Sequence, residues 1–90
     1  MENLAVRISD FLESIENYKP ESNPSWGLGP PYNALVEAAK AELADDPIVQ
    51  TLATTTQVRL ECSIDVGTMR ASLNQVLGAM GGTGPAFDIS

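Results

Sequence analysis

This sequence predicts an all-α fold, a small helical bundle of three longer helices plus one short helix, with an extended connector near residues 54–63. Three observations carry that expectation. Apolar residues recur at three- and four-residue spacing in three separate stretches, so each stretch places them on one helical face. Proline-containing segments separate these stretches, and proline interrupts helices rather than continuing them. A single short segment shows the two-residue alternation of a strand, and no second segment offers itself as a partner.

The first helix is expected over Glu2–Tyr18. Leu4, Ile8, Phe11, Leu12, Ile15 and Tyr18 follow the helical repeat, while Arg7, Asp10, Glu13, Ser14 and Asn17 form the wet face. Glu2 places a negative charge in the first turn, where the helix dipole favours it. Pro20 ends the helix, because Lys19 before a proline is pushed towards extended backbone. The next stretch, KPESNPSWGLG over 19–29, holds two prolines and two glycines and reads as irregular. It carries the only tryptophan, Trp26, followed by Leu28. An ordered loop of that length with a large apolar anchor is either a packed lid or a functional loop.

The second helix is expected to start near Pro31, since proline at the first helical position loses no hydrogen bond and already has helical φ. Tyr32, Leu35, Val36, Ala39 and Leu43 share its apolar face, and Asn33, Glu37, Lys40 and Glu42 fall largely elsewhere. Five alanines between positions 34 and 44 favour helix and let a neighbour approach closely. Asp45-Asp46-Pro47 then predicts a corner, with Asp46 as N-cap and Pro47 as first residue of a short helix over 47–53. Ile48, Val49 and Leu52 supply its apolar side.

In TTTQVRLECS over 54–63, Val58, Leu60 and Cys62 alternate with Arg59 and Glu61. Two readings fit: an extended connector, or a strand over Thr56–Cys62 that pairs antiparallel with its own copy in another subunit. The connector is preferred, because nothing else in the chain reads as a strand. The last helix is expected over Ile64–Met80, with Ser63 as N-cap, Asp65 in the first turn, and Val66, Met69, Leu73, Val76, Leu77 and Met80 as its stripe. Gly67 and Gly78 weaken it, and Gly81-Gly82 stops it. The expected organisation is a single helical domain over 1–80 and a flexible C-terminal tail over 81–90, with Phe87 and Ile89 as its apolar residues.

Ninety residues suffice for one domain with its own core. No apolar run approaches the length of a membrane span, and the N-terminal residues lack the pattern of a signal peptide. A cytoplasmic, membrane-free setting is expected. The single cysteine, Cys62, excludes an intrachain disulfide, and without histidine a zinc cluster is excluded too, so no metal and no cofactor is expected. The formal net charge is −7. Affinity for nucleic acid comes mostly from cations meeting phosphate, so direct nucleic-acid binding is not expected from five scattered basic residues. Nine of the twelve acids lie at or before Asp46, an acidic half that either solvates the protein or docks on a basic partner.

Catalytic chemistry finds few candidates. A nucleophile needs a base within reach, and Cys62 has no histidine to activate it. Its place in the alternation reads as a buried structural thiol. Asp45 and Asp46 are adjacent carboxylates at a corner, where they cap rather than face each other across a substrate. Trp26, Gly27, Leu28, Gly29 and Tyr32 form the one candidate ligand or partner site. Glycine-rich backbone before a helix often cradles anions, and flat side chains beside it stack on bases or grip peptides. Against that, Pro30 and Pro31 remove two donors, and the plainer role of Trp26 is to cap the core under its loop. The expected function is a non-enzymatic, self-associating, acidic interaction protein, a homo-oligomer with a possible further protein partner. One alternative is a protein that sequesters a nucleotide-like or other small anionic ligand at the Trp26–Tyr32 loop. Another is an acidic inhibitor covering a basic enzyme surface.

Overall fold

The computed structural model describes residues 3–80, and the expected tail over 81–90 lies outside them. The described chain is mostly helical. Helices α1 (Leu4–Ser14), α2 (Gly29–Glu42), α3 (Pro47–Gln50) and α4 (Val66–Ala79) are joined by a 3-10 turn at Trp26–Leu28 and by two short strands, β1 (Gln57–Val58) and β2 (Glu61–Cys62). Helix α1 packs on α2 and α4, and α3 closes the bundle against α2 and α4. Most of the positions that the spacing places on apolar faces are buried, Leu4, Ile8 and Phe11 from α1, Tyr32, Leu35, Val36 and Ala39 from α2, Val49 from α3, and Val66, Met69, Leu73 and Val76 from α4, whereas Tyr18, beyond the end of α1, and Ile48, on the outer side of α3, are exposed.

The corner after α2 forms for local reasons. The Asp46 carboxylate accepts from the N–H groups of Ile48 and Val49 at 2.9 and 3.0 Å, with Pro47 as the first helical residue. One turn later the Gln50 side chain donates back to the carbonyls of Lys40 and Leu43, satisfying groups that the end of α2 leaves open. Helix α3 is therefore a single turn over 47–50, shorter than the expected 47–53, because Thr51 closes it through its hydroxyl on the Ile48 carbonyl.

Three further expectations need correction. The first helix stops at Ser14 rather than Tyr18, although Ile15 stays fully buried. The Arg70 guanidinium, from α4, donates to the Ile15 carbonyl at 3.0 Å, where a cation also suits the helix dipole. The last helix begins at Val66, and its N-cap is Asp65, which accepts from Thr68 N–H at 2.8 Å. Ser63 instead accepts from Thr56 N–H through its hydroxyl and donates its own N–H to the Thr56 carbonyl.

The third correction adds a short hairpin to the helical bundle. The segment over 54–63 is not an extended connector, and the chain is not purely α. Residues 57–62 fold back on themselves as an antiparallel hairpin, Gln57 opposite Cys62 and Val58 opposite Glu61. The two-residue turn between them is Arg59-Leu60, and Arg59 takes a φ of 61°. The strand thus finds its partner within the chain. The preceding loop also joins in. Pro24 accepts from Cys62 N–H at 2.8 Å, Trp26 N–H donates to Leu60 at 2.8 Å, and Ser25 bridges to Glu61.

Candidate functional site

The Trp26–Tyr32 loop and the hairpin form one unit at the N-terminal end of α2. The loop is anchored first at α4. Two N–H groups that open this helix donate to loop carbonyls, Val66 to Ser22 at 2.9 Å and Gly67 to Pro20 at 2.8 Å. A Cβ at Gly67 would sit 3.1 Å from the Pro20 carbonyl, so the glycine that weakens the helix is what lets the loop approach it. The loop then runs along β2. Asn23 donates to the Cys62 carbonyl at 3.0 Å.

The five residues singled out by sequence take different places. Trp26 is half-buried against the core, and its indole lies flat over Gly29, where an added Cβ would collide with Cε3, Cζ3 and Cη2 of the ring. Gly29 is buried and Gly27 exposed, while Leu28 packs partly against the core. Tyr32 is fully buried, its ring 6.2 Å from that of Phe11. Its hydroxyl is turned towards Ser72 and has no hydrogen-bond partner of good geometry among the described residues. Burial pushes this phenol above the ordinary tyrosine value, and the Ser72 hydroxyl offsets part of that. The structure therefore brings Trp26, Leu28 and Gly29 together as a lid, with the Tyr32 side chain beneath it in the core.

Other residues, not singled out in the sequence, complete the unit. Asn33 holds Thr55 by two bonds of 2.8 Å, accepting from its N–H and donating to its carbonyl. Thr55 is 2% exposed and shares further bonds with Ser63. In the antiparallel ladder, groups of alternate residues point away from the partner strand. On β1 and the residues leading into it, these belong to Thr55 and Gln57. Asn33 occupies the first pair, which leaves Gln57 as the open edge among the described residues.

The tip itself is apolar and exposed. Leu60 is 80% exposed and Val58 52%, with Arg59 between them. The tip is not loose: Trp26 N–H holds Leu60, and the Gln57 side chain donates to the Arg59 carbonyl at 2.9 Å. A non-glycine residue held at positive φ costs roughly 1–2 kcal/mol, and here the surrounding bonds impose it. The sequence signal for this tip is the alternation of Val58, Leu60 and Cys62, which does not by itself say where the chain turns.

Cys62 sits at the base of the hairpin, buried, with its thiol directed at the Ser25 carbonyl at 3.4 Å. Burial pushes the thiol above the ordinary cysteine value, and the Thr55 hydroxyl offsets part of this. With the folded value raised, thiolate forms later in the folded protein than in the unfolded chain. Stability is therefore full below the ordinary cysteine value and declines as pH rises from there through the folded value. Native Cys62 is expected to react with a thiol reagent at mildly alkaline pH at least about tenfold more slowly than in denaturant. Equal rates in both states would refute a buried thiol.

No group of three or more cysteine or acidic side chains among the described residues is placed to hold a metal ion. No described helix is long and apolar enough to cross a membrane. No protein-family model, curated protein or solved structure matches the chain.

Proposed function

We propose that the chain is a non-enzymatic interaction protein that associates with copies of itself through the tip of the hairpin. The observation that carries this reading is the exposure of Leu60 and Val58 on a turn whose backbone is fixed from both sides. A small protein gains nothing in its own core from an 80% exposed leucine. Burying it against a partner contributes about 2 kcal/mol, and a rigid tip gives up little conformational freedom in doing so. Support for a non-enzymatic role is chemical: the sequence has no histidine, and its one thiol is buried with a raised pKa. A cytoplasmic setting fits the free thiol.

Sequestration of a small anion at Trp26–Tyr32 has less to rest on. The indole already covers Gly29, the Tyr32 side chain lies in the core, and two prolines open the helix that would offer its N–H groups. The test of the proposal is sedimentation. The wild type is expected to sediment as a dimer or larger, and Leu60→Asp to raise the dissociation constant about thirtyfold with its helical circular dichroism unchanged. A Leu60→Asp variant that associates as tightly as the wild type would remove the tip from the interface. The same measurement on Val58→Pro is not selective, because the hairpin register places Val58 N–H inside the pair with Glu61. Gln57→Pro removes the outward donor instead and isolates any edge pairing.

A further inference from the structure

We infer that the docking site for the hairpin tip is an acidic depression at the opposite end of α2 on the next copy, so that the protein assembles head to tail. This rests on the self-association proposed above and names its second surface. The depression has a volume of about 450 Å³ and lies where α2, α3 and α4 meet. Glu42, Asp45 and Asp46 supply its carboxylates, and Leu43, Pro47 and Ala79 its apolar wall. The Asp46 carboxylate is committed to the cap of α3. Those of Glu42 and Asp45 are exposed and make no hydrogen bond to a described residue.

The tip offers the complement: one cation, Arg59, between two apolar side chains, Val58 and Leu60. In a chain of net charge −7, most of the surface of a second copy repels its neighbour. The contact that turns this repulsion into attraction pairs an exposed arginine with an acidic pocket. Arginine suits such a contact because its planar fork can meet two carboxylates. The tip cannot fill its own pocket. It is tied to Trp26, whose ring covers the first residue of α2, whereas the pocket begins at Glu42, the last. Helix α2 runs fourteen residues from one to the other, about 20 Å. Tip and pocket are different patches, so the contact is heterologous and propagates as a ring or an open filament rather than closing as a two-fold pair.

The experiment is a charge swap read by sedimentation velocity. Arg59→Glu alone, and Glu42→Arg with Asp45→Arg alone, are each expected to weaken association at least about tenfold. Mixing the two variants is expected to restore it, because each then meets a complementary surface on the other. Raising salt is expected to weaken the wild-type assembly. Arg59→Gly guards against a folding artefact: it removes the cation while suiting the positive φ, so it is expected to lose association with its thermal midpoint kept or raised. If the pocket variant associates like the wild type, or the mixture stays dissociated, the pocket is not the site, and self-association through the tip stands without it. A wild type that stays monomeric at its solubility limit overturns both.

Discussion

Replacing Asn33 with alanine is expected to lower the unfolding free energy by about 3 kcal/mol. The side chain makes two bonds of 2.8 Å to the backbone of Thr55, which is buried. Truncation leaves a buried N–H and a buried carbonyl without partners. Each such group costs roughly 1–3 kcal/mol, since it has left water and gained nothing in return. Alanine is the better helix former by a few tenths of a kcal/mol, a gain too small to offset that loss. A second variant separates the clasp from simple packing. Asn33→Asp keeps the acceptor for Thr55 N–H but sets a carboxylate oxygen against the Thr55 carbonyl, so it should be no more stable than the alanine variant. The measurement is denaturant unfolding, with the midpoint shifted and the slope unchanged. A loss below about 1 kcal/mol for Asn33→Ala would mean that water substitutes for the clasp and that Thr55 is not held by it.

That clasp spans 22 residues of sequence, and this is why it was not legible. Features written in neighbouring residues were. Pro30-Pro31 opening α2, Asp46-Pro47 opening α3 and the stripe of α4 each depend on a cap or a repeat contained in a few positions. The end of α1 depends on Arg70, 55 residues away, and so the periodicity of Ile15 and Tyr18 overran it. The hairpin escaped for two physical reasons. Its turn, Arg59-Leu60, contains none of the residues that favour positive φ, so the strongest local hairpin signal is missing. And its second support comes from the irregular stretch over 19–29, whose prolines and glycines argue against a regular element. The alternation of Val58, Leu60 and Cys62 suggested one face. In the fold the turn divides them, burying Cys62 and leaving the other two in solvent. At the candidate site, the tryptophan and its glycines were visible in sequence, but that the ring rests on one of those glycines was not.

Gly29→Ala tests that last relation and is expected to destabilise by about 1–2 kcal/mol. The sign is what makes it informative. Gly29 has φ −66° and ψ −57°, ordinary helical values that alanine adopts without strain. On propensity alone alanine would stabilise the first turn of α2 by up to about 1 kcal/mol. The added Cβ, however, falls inside the space of the Trp26 ring at Cε3, Cζ3 and Cη2. A buried collision of this kind costs typically 1–3 kcal/mol, because a rigid ring must leave its rotamer or the loop must lift. Trp26 emission should shift to the red and become open to quenchers. In Trp26→Ala the same glycine substitution should be neutral or stabilising, so the two changes are expected to be non-additive, as residues in contact are. If Gly29→Ala stabilises the otherwise unchanged protein, the ring does not lie where the fold places it. The displacement also bears on the tip. Trp26 N–H is the bond that holds Leu60, so a lifted loop frees the turn. Association measured on Gly29→Ala should then weaken together with the change in Trp26 emission, although the substitution touches no surface residue of the tip.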